Sequence, residues 1–144
     1  MNLPNKLTVL RIILTPIFLL LFTIETIPYH YILALLVFAI ASITDLLDGK
    51  IARKHNIVTT FGKFTDPLAD KILVYSALCL FIESDIIKAW MLILILAREF
   101  VVAGMRTVAA SEGTVLAAGM SGKIKTVLQM VAVILYIFAL CLKD

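Results

Sequence analysis

The chain has 144 residues, 62% of them hydrophobic, and a mean hydropathy of +1.05, against about 45–50% apolar content in soluble domains; a soluble fold is excluded, and one all-α membrane domain over 1–144 is expected. The net charge of +3 comes from 13 Lys and Arg against 10 Asp and Glu clustered at the ends of apolar runs, so it bears on membrane orientation and gives no ground for a nucleic-acid partner. Cys79 and Cys141 both lie inside apolar runs, where a thiol acts as a small hydrophobe, so neither a disulfide framework nor a thiolate metal site is expected.

A polar lead, Met1 to Lys6, precedes Leu7 to Ile24, which is apolar apart from Arg11 and reads as the first span. Arg11 inside it, with no small-residue cleavage site after it, argues against a cleaved signal peptide. Thr26 to Thr44 is 19 residues without a charged group, close to the roughly 20 that cross a bilayer. This second span runs directly into the stretch from Thr44 to Lys71, TDLLDGKIARKHNIVTTFGKFTDPLADK.

Four aspartates stand in that stretch, Asp45, Asp48, Asp66 and Asp70, at the edges of membrane helices where carboxylates are costly unless compensated. Asp45 and Asp48 are three apart and Asp66 and Asp70 four apart, so on helices each pair leaves one face, and two such faces brought together line a cage with oxygen. Hard, oxygen-only ligation suits magnesium, manganese or calcium rather than zinc, because no Cys or His sits at ligand spacing nearby; His55 reads as part of a basic loop. If Asp45 to Arg53 is helical, the same stripe carries Gly49, Ala52 and Arg53. Gly49 lowers helix stability relative to alanine, which suggests a close approach to the backbone there, and Arg53 is placed to hold a phosphate in a bidentate fork. Metal cage, small-residue gap and arginine together are what phosphoryl transfer needs: a metal neutralises a diphosphate while a carboxylate activates a hydroxyl.

Phe64 to Ile82 is the third span. Pro67 after Asp66 fits a helix that starts there with Asp66 as cap, and equally one that starts near Thr59 or Thr60 and kinks at Pro67. Ala89 to Ala110 is the fourth, interrupted by Arg98, Glu99 and Arg106, and Thr126 to Leu142, 17 residues without charge, is the fifth. Glu99 reads equally as a structural ion-pair partner for another helix or as a site residue. Gly104, Gly119 and Gly122 read as packing or turn residues. Lys6, Arg11, Lys50, Arg53, Lys54 and Lys63 flank one side of the bundle and Glu25, Glu83 and Asp85 the other, which puts the N-terminus and the aspartate stretch in the cytoplasm and, with five spans, the C-terminus outside.

Asp45, Asp48, Gly49, Ala52, Arg53, Gly62, Asp66 and Asp70 fill, without substitution, a pattern of eight positions over 26 residues: D, two residues, DG, two residues, AR, eight residues, G, three residues, D, three residues, D. This resembles the signature of the CDP-alcohol phosphotransferases. The resemblance implies that Asp45, Asp48 and Asp66, helped by Asp70, bind two divalent cations, Mg2+ or Mn2+, that Asp70 is the general base, and that Asp48, Gly49, Ala52, Arg53 and Gly62 bind the CDP donor. It also implies six spans with both ends cytoplasmic, so five leave the chain one short, and a homodimer contact made by a last helix would be lacking. A homodimer is nonetheless the expected assembly.

Four segments, NLPNKLTVLR, DPLADKIL, LAREF and SGKIKT, resemble the glycerol-3-phosphate branch of that family. This implies transfer of a phosphatidyl group from CDP-diacylglycerol to glycerol 3-phosphate with release of CMP. A phosphorylated acceptor calls for further cations, and Arg106, Lys123 and Lys125 supply them; Asn5, Thr8, Arg11 and Arg98 are candidate supporting residues. The rivals are a sister enzyme using inositol phosphate or serine, an intramembrane prenyltransferase, in which the DG and AR elements would have no purpose, and a divalent-cation transporter, for which spans one and five offer no acidic partner.

Overall fold

Long apolar runs in lipid have no water for their backbone polar groups, so each must close its hydrogen bonds within itself. The computed structural model describes residues 3–55, 60–114 and 119–143, apart from the side chains of Pro4, Ala52, Arg53 and Lys63. Five helices follow one another: α1 (Leu3–Thr23), α2 (His30–His55), α3 (Thr60–Glu83), α4 (Ala89–Ser111) and α5 (Met120–Lys143). There is no strand among the described residues.

Three of them, α1, α2 and α5, are long and apolar enough to cross a membrane by length and composition. The other two are as long, 24 residues in α3 and 23 in α4, but Asp66, Asp70 and Lys71 interrupt one and Arg98, Glu99 and Arg106 the other. Helices thus stand where the five spans are expected, and the two interrupted ones carry candidate site residues. Large apolar residues such as Leu20, Leu36, Ile93 and Leu135 cover the outside of the bundle, a surface that lipid solvates and water does not.

The helices extend past the expected spans at the polar end. α2 begins at His30, after a turn over residues 24–29, and runs through Asp45 to His55, so the stripe expected on a helix there is helical in backbone. α3 begins at Thr60 and carries Pro67 inside it, which removes the reading of Asp66 as a cap. Just before the proline, the Thr65 hydroxyl donates to the Phe61 carbonyl at 2.7 Å, a back-bond that often accompanies a bend. α4 ends in a left-handed turn at Gly113 (φ 81°). There the Thr114 amide donates to the Ala109 carbonyl at 2.9 Å and the Gly113 amide to the Ala110 carbonyl at 3.1 Å, satisfying two of the carbonyls that a helix end leaves open.

Packing divides the bundle lengthwise into two halves. At one end Phe18 and Phe22 of α1, Phe38 of α2 and Phe81 of α3 interlock, with Val133 and Ile137 of α5 completing the core. At the other end most buried residues are polar, Asn5, Thr8, Arg11, Thr44, Asp48 and Thr65, with Ala69 and Gly62 buried among them. α1 lies against both α2 and α3, α5 against α2 and α3, and α4 brings its backbone near α3 only among the described residues, meeting α5 through side chains. α4 has no buried residue. The apolar half supplies the rigidity against which the polar half holds its groups in place.

Candidate active site

At the polar end one guanidinium meets two carboxylates. Arg11, fully buried, reaches from α1 to Asp45 (NH1 to Oδ1, 2.9 Å) and to Asp48 (NH2 to Oδ2, 2.5 Å) on α2. Asp45 and Asp48 lie one turn apart; the guanidinium hydrogen-bonds Asp48 and stands against Asp45 as a close charge, its NH1 and Nε having no hydrogen-bond partner among the described residues. An isolated charge in so dry a place costs several kcal/mol, and the pairing offsets this. One turn earlier on α1, the Thr8 hydroxyl donates to Oδ1 of Asp66 on α3. Three of the four signature acids are therefore held by α1, and Asn5 is buried on the same face.

Asp70 differs from the other three. It lies one turn beyond Asp66 on α3, and its Oδ1 is buried with no hydrogen-bond partner among the described residues. Burying an unpaired carboxylate oxygen is costly, so such an atom points to a proton or cation that completes it. Four hard carboxylates, one with an orphaned oxygen, fit a hard divalent cation. No three of them converge as a ready-made ligand set among the described residues, and Arg11 lies between the α2 pair. Gly49 is half-buried on α2 and Gly62 buried in the first turn of α3. Ala52 and Arg53 lie on the helical backbone of α2, but their side chains, like that of Lys63, are outside the described residues.

Beside the acids a cavity of about 510 Å³ opens between α2, α3, α4 and α5. Asp45 and Pro67 form part of one wall; Lys71, Arg98, Glu99, Arg106, Lys123 and Lys125 stand elsewhere in the lining, between apolar residues such as Leu46, Val102, Val127 and Met130. The three residues expected to bind an acceptor phosphate thus share one cavity with a signature acid. Arg106 extends toward α5, where its NH2 would lie 3.9 Å from a Cβ placed on Gly122. Arg106 and Lys123 have no ion pair among the described residues. Lys125 does: its Nζ lies on Oε1 of Glu99.

Glu99 is the residue that sequence reasoning leaves undecided. Its carboxylate takes Lys125, Arg98 (NH1 to Oε1, 2.9 Å) and Lys71 (Nζ to Oε2, 3.7 Å), and so gathers the cations of three helices. Lys71 has no role in the sequence reading; its signal is its place directly after Asp70. A methyl group placed on Gly104 would meet nothing within 4 Å, and His55 is exposed at the end of α2, so neither joins the site.

Comparison with known proteins places this geometry in context. A family model described as CDP-alcohol phosphatidyltransferase matches residues 1–143. The chain is 49% identical over 143 residues to the CDP-diacylglycerol–glycerol-3-phosphate 3-phosphatidyltransferase of Bacillus subtilis (strain 168), covering 92% of this chain and 74% of that protein. It is 46% identical over 131 residues to the protein of the same name in Rickettsia typhi, covering 91% and 73%. To the probable phosphatidylglycerophosphate synthase of Mycobacterium tuberculosis (strain ATCC 25618 / H37Rv) it is 39% identical over 142 residues, covering 96% and 67%.

Proposed function

The chain belongs to the CDP-alcohol phosphatidyltransferase family, and from that premise we propose that it transfers a phosphatidyl group from CDP-diacylglycerol to glycerol 3-phosphate, giving phosphatidylglycerophosphate and CMP. The single observation that carries this reading is the shared cavity: Asp45 of the signature and the cations Arg106, Lys123 and Lys125 line one space. A diphosphate-bearing donor held at the acids and a phosphate-bearing acceptor held at the cations would meet there.

In the proposed reaction Asp45, Asp48, Asp66 and Asp70 hold two divalent cations, magnesium or manganese. Bound there, these neutralise the donor's diphosphate and the charge that develops on it. Gly49, Ala52, Arg53 and Gly62 seat the cytidine nucleotide, Gly49 and Gly62 by letting it approach the backbone. Arg106, Lys123 and Lys125 grip the acceptor's phosphate and so orient its free hydroxyl. The buried, unpartnered oxygen of Asp70 takes the hydroxyl proton. The alkoxide oxygen bonds to the lipid-side phosphorus as the bond to the bridging oxygen breaks, and CMP leaves with that electron pair.

The charge pattern of the loops supports an active site at the cytoplasmic face of the cytoplasmic membrane, where a water-soluble acceptor can reach a donor whose acyl chains stay in the bilayer. A homodimer is the assembly this reading expects, measurable by light scattering in detergent. The reaction is tested by giving the purified chain CDP-diacylglycerol with glycerol 3-phosphate, inositol phosphate or serine in turn and following CMP release. Release with glycerol 3-phosphate alone is expected, whereas release with serine and none with glycerol 3-phosphate overturns the acceptor assignment.

A further inference from the structure

α1 carries a buried polar stripe, Asn5, Thr8, Arg11 and Thr15, at spacings of three, three and four. Thr15 returns its hydroxyl to its own helix, donating to the Arg11 carbonyl at 3.0 Å, the way an inert polar residue is satisfied in an apolar setting. Thr8 and Arg11 act differently. Each reaches across to acids of another helix, Thr8 to Asp66 and Arg11 to Asp45 and Asp48.

We propose that α1 is the outer shell of the cation site: Arg11 fixes Asp45 and Asp48, and Thr8 fixes Asp66, each through one carboxylate oxygen, so that the other oxygens are turned toward the divalent cations and Asp70 is kept for proton transfer. The inference rests on the reading of these acids as cation ligands. Ligating carboxylates work best when their second oxygen is held, because a ligand pinned on its outer side does not lose rotational freedom when the ion arrives. Charge neutralisation alone does not account for the stripe. Arg11 would reduce the repulsion among four acids, but Thr8 is neutral and does nothing for charge; what the two share is aim. A guanidinium can hydrogen-bond Asp48 while keeping its charge against Asp45, whereas a lysine ammonium is a point charge without fixed direction.

Thr8 and Arg11 are thus positioning residues, and their effect should be read in ion binding itself. Mn2+ binding to the purified chain in detergent, followed by electron paramagnetic resonance, is compared for wild type, Thr8→Val, Thr8→Ser and Arg11→Lys. Thr8→Val and Arg11→Lys are expected to weaken Mn2+ binding by about 10–100-fold, while Thr8→Ser, which keeps the hydroxyl, binds as wild type does. A role in helix packing alone would change melting temperature without separating Val from Ser in Mn2+ affinity. Equal binding by Thr8→Val and wild type overturns the proposal, as does tighter binding by Arg11→Lys, which would make Arg11 a competitor of the ion. If Arg11→Lys fails to fold, the nearly isosteric Thr8 pair still decides. A wild-type chain that binds no Mn2+ overturns the ligand reading itself, a result distinct from wild-type binding that the Thr8 change leaves intact.

Discussion

The acid wall, which adjoins the cavity through Asp45, and the cation wall that lines it are built differently. On the acid wall α1 lies against α2 and α3, and Arg11 and Asp48 meet in full burial, 0% and 4% exposed at the side chain. On the cation wall α4 brings its backbone near α3 only, among the described residues, reaches α5 through side chains and buries no residue, and its Arg98 is 46% exposed. Removing Arg11 from the first wall strands two carboxylates in a dry place, which is far costlier than losing an exposed pair. In the second wall side chains can be exchanged at little risk to the fold. The part proposed to hold the donor is therefore tied to the fold's stability, and the part proposed to meet the acceptor depends on it less.

The most damaging change expected is Asp70→Asn, which keeps shape and removes the base. General-base catalysis contributes about 10²–10⁴-fold, and CMP release should fall by that factor while melting temperature holds. Retention of more than a tenth of wild-type turnover would take the proton-transfer role from Asp70. Next in size is Arg11→Met, which strands Asp45 and Asp48. Breaking a buried pair by removing one partner costs about 3–5 kcal/mol, so thermal unfolding in detergent should shift strongly downward. Magnesium should restore part of the loss, since an ion that binds only the folded chain stabilises it by mass action. Arg106→Gln in the same assay should leave melting unchanged, and a large shift there would erase the contrast between the walls.

How much of this was legible follows from which contacts are local. The acid pairs and the Gly49–Arg53 stripe depend on helical spacing within one element, so Asp45 with Asp48 and Asp66 with Asp70 could be placed from the sequence alone. Arg11 was visible as a charge in an apolar run, a signal of function by itself, but its partner lies 37 residues away, and only helix packing reveals it. The same holds for Lys125 and Glu99, 26 residues apart. The start of α3 was ambiguous because an Asp-Pro pair serves as a cap or as a kink; the helix extends back to Thr60, where Gly62 becomes part of it. The spans of α3 and α4 are legible in their apolar flanks, and the charges that weaken them as spans include the candidate site residues Asp66, Asp70, Arg98 and Arg106.

On the cation wall, Arg106→Gln and Lys123→Gln should each raise the KM for glycerol 3-phosphate by about 10–100-fold, the equivalent of one charge-assisted hydrogen bond of roughly 1.5–3 kcal/mol. Donor KM and melting temperature should stay near wild type. A parallel rise in donor KM would mean that the two walls do not divide the substrates between them.

The smallest expected effect belongs to Glu99→Gln, and its sign is the sharpest test of how the cation wall works. Glu99 holds Lys125, Arg98 and Lys71 together, which either aims Lys125 at the acceptor or withholds it. An incoming phosphate brings its own negative charge to the same lysine, so a carboxylate already there both competes for the ammonium and repels the phosphate. Glu99 and Lys125 are 13% and 25% exposed at the side chain, and the attraction lost with the pair offsets most of the repulsion relieved, leaving a net effect of about 0.5–1 kcal/mol. Removing the charge should therefore lower the KM for glycerol 3-phosphate by about two- to fivefold, with melting temperature little changed and the gain shrinking as salt screens the wall. The same loss of negative charge should let other phosphorylated alcohols compete better, which inhibition of CMP release by inositol phosphate measures. A KM that rises instead would show that Glu99 aims Lys125, making the cation wall as dependent on fixed partners as the acid wall is on Arg11.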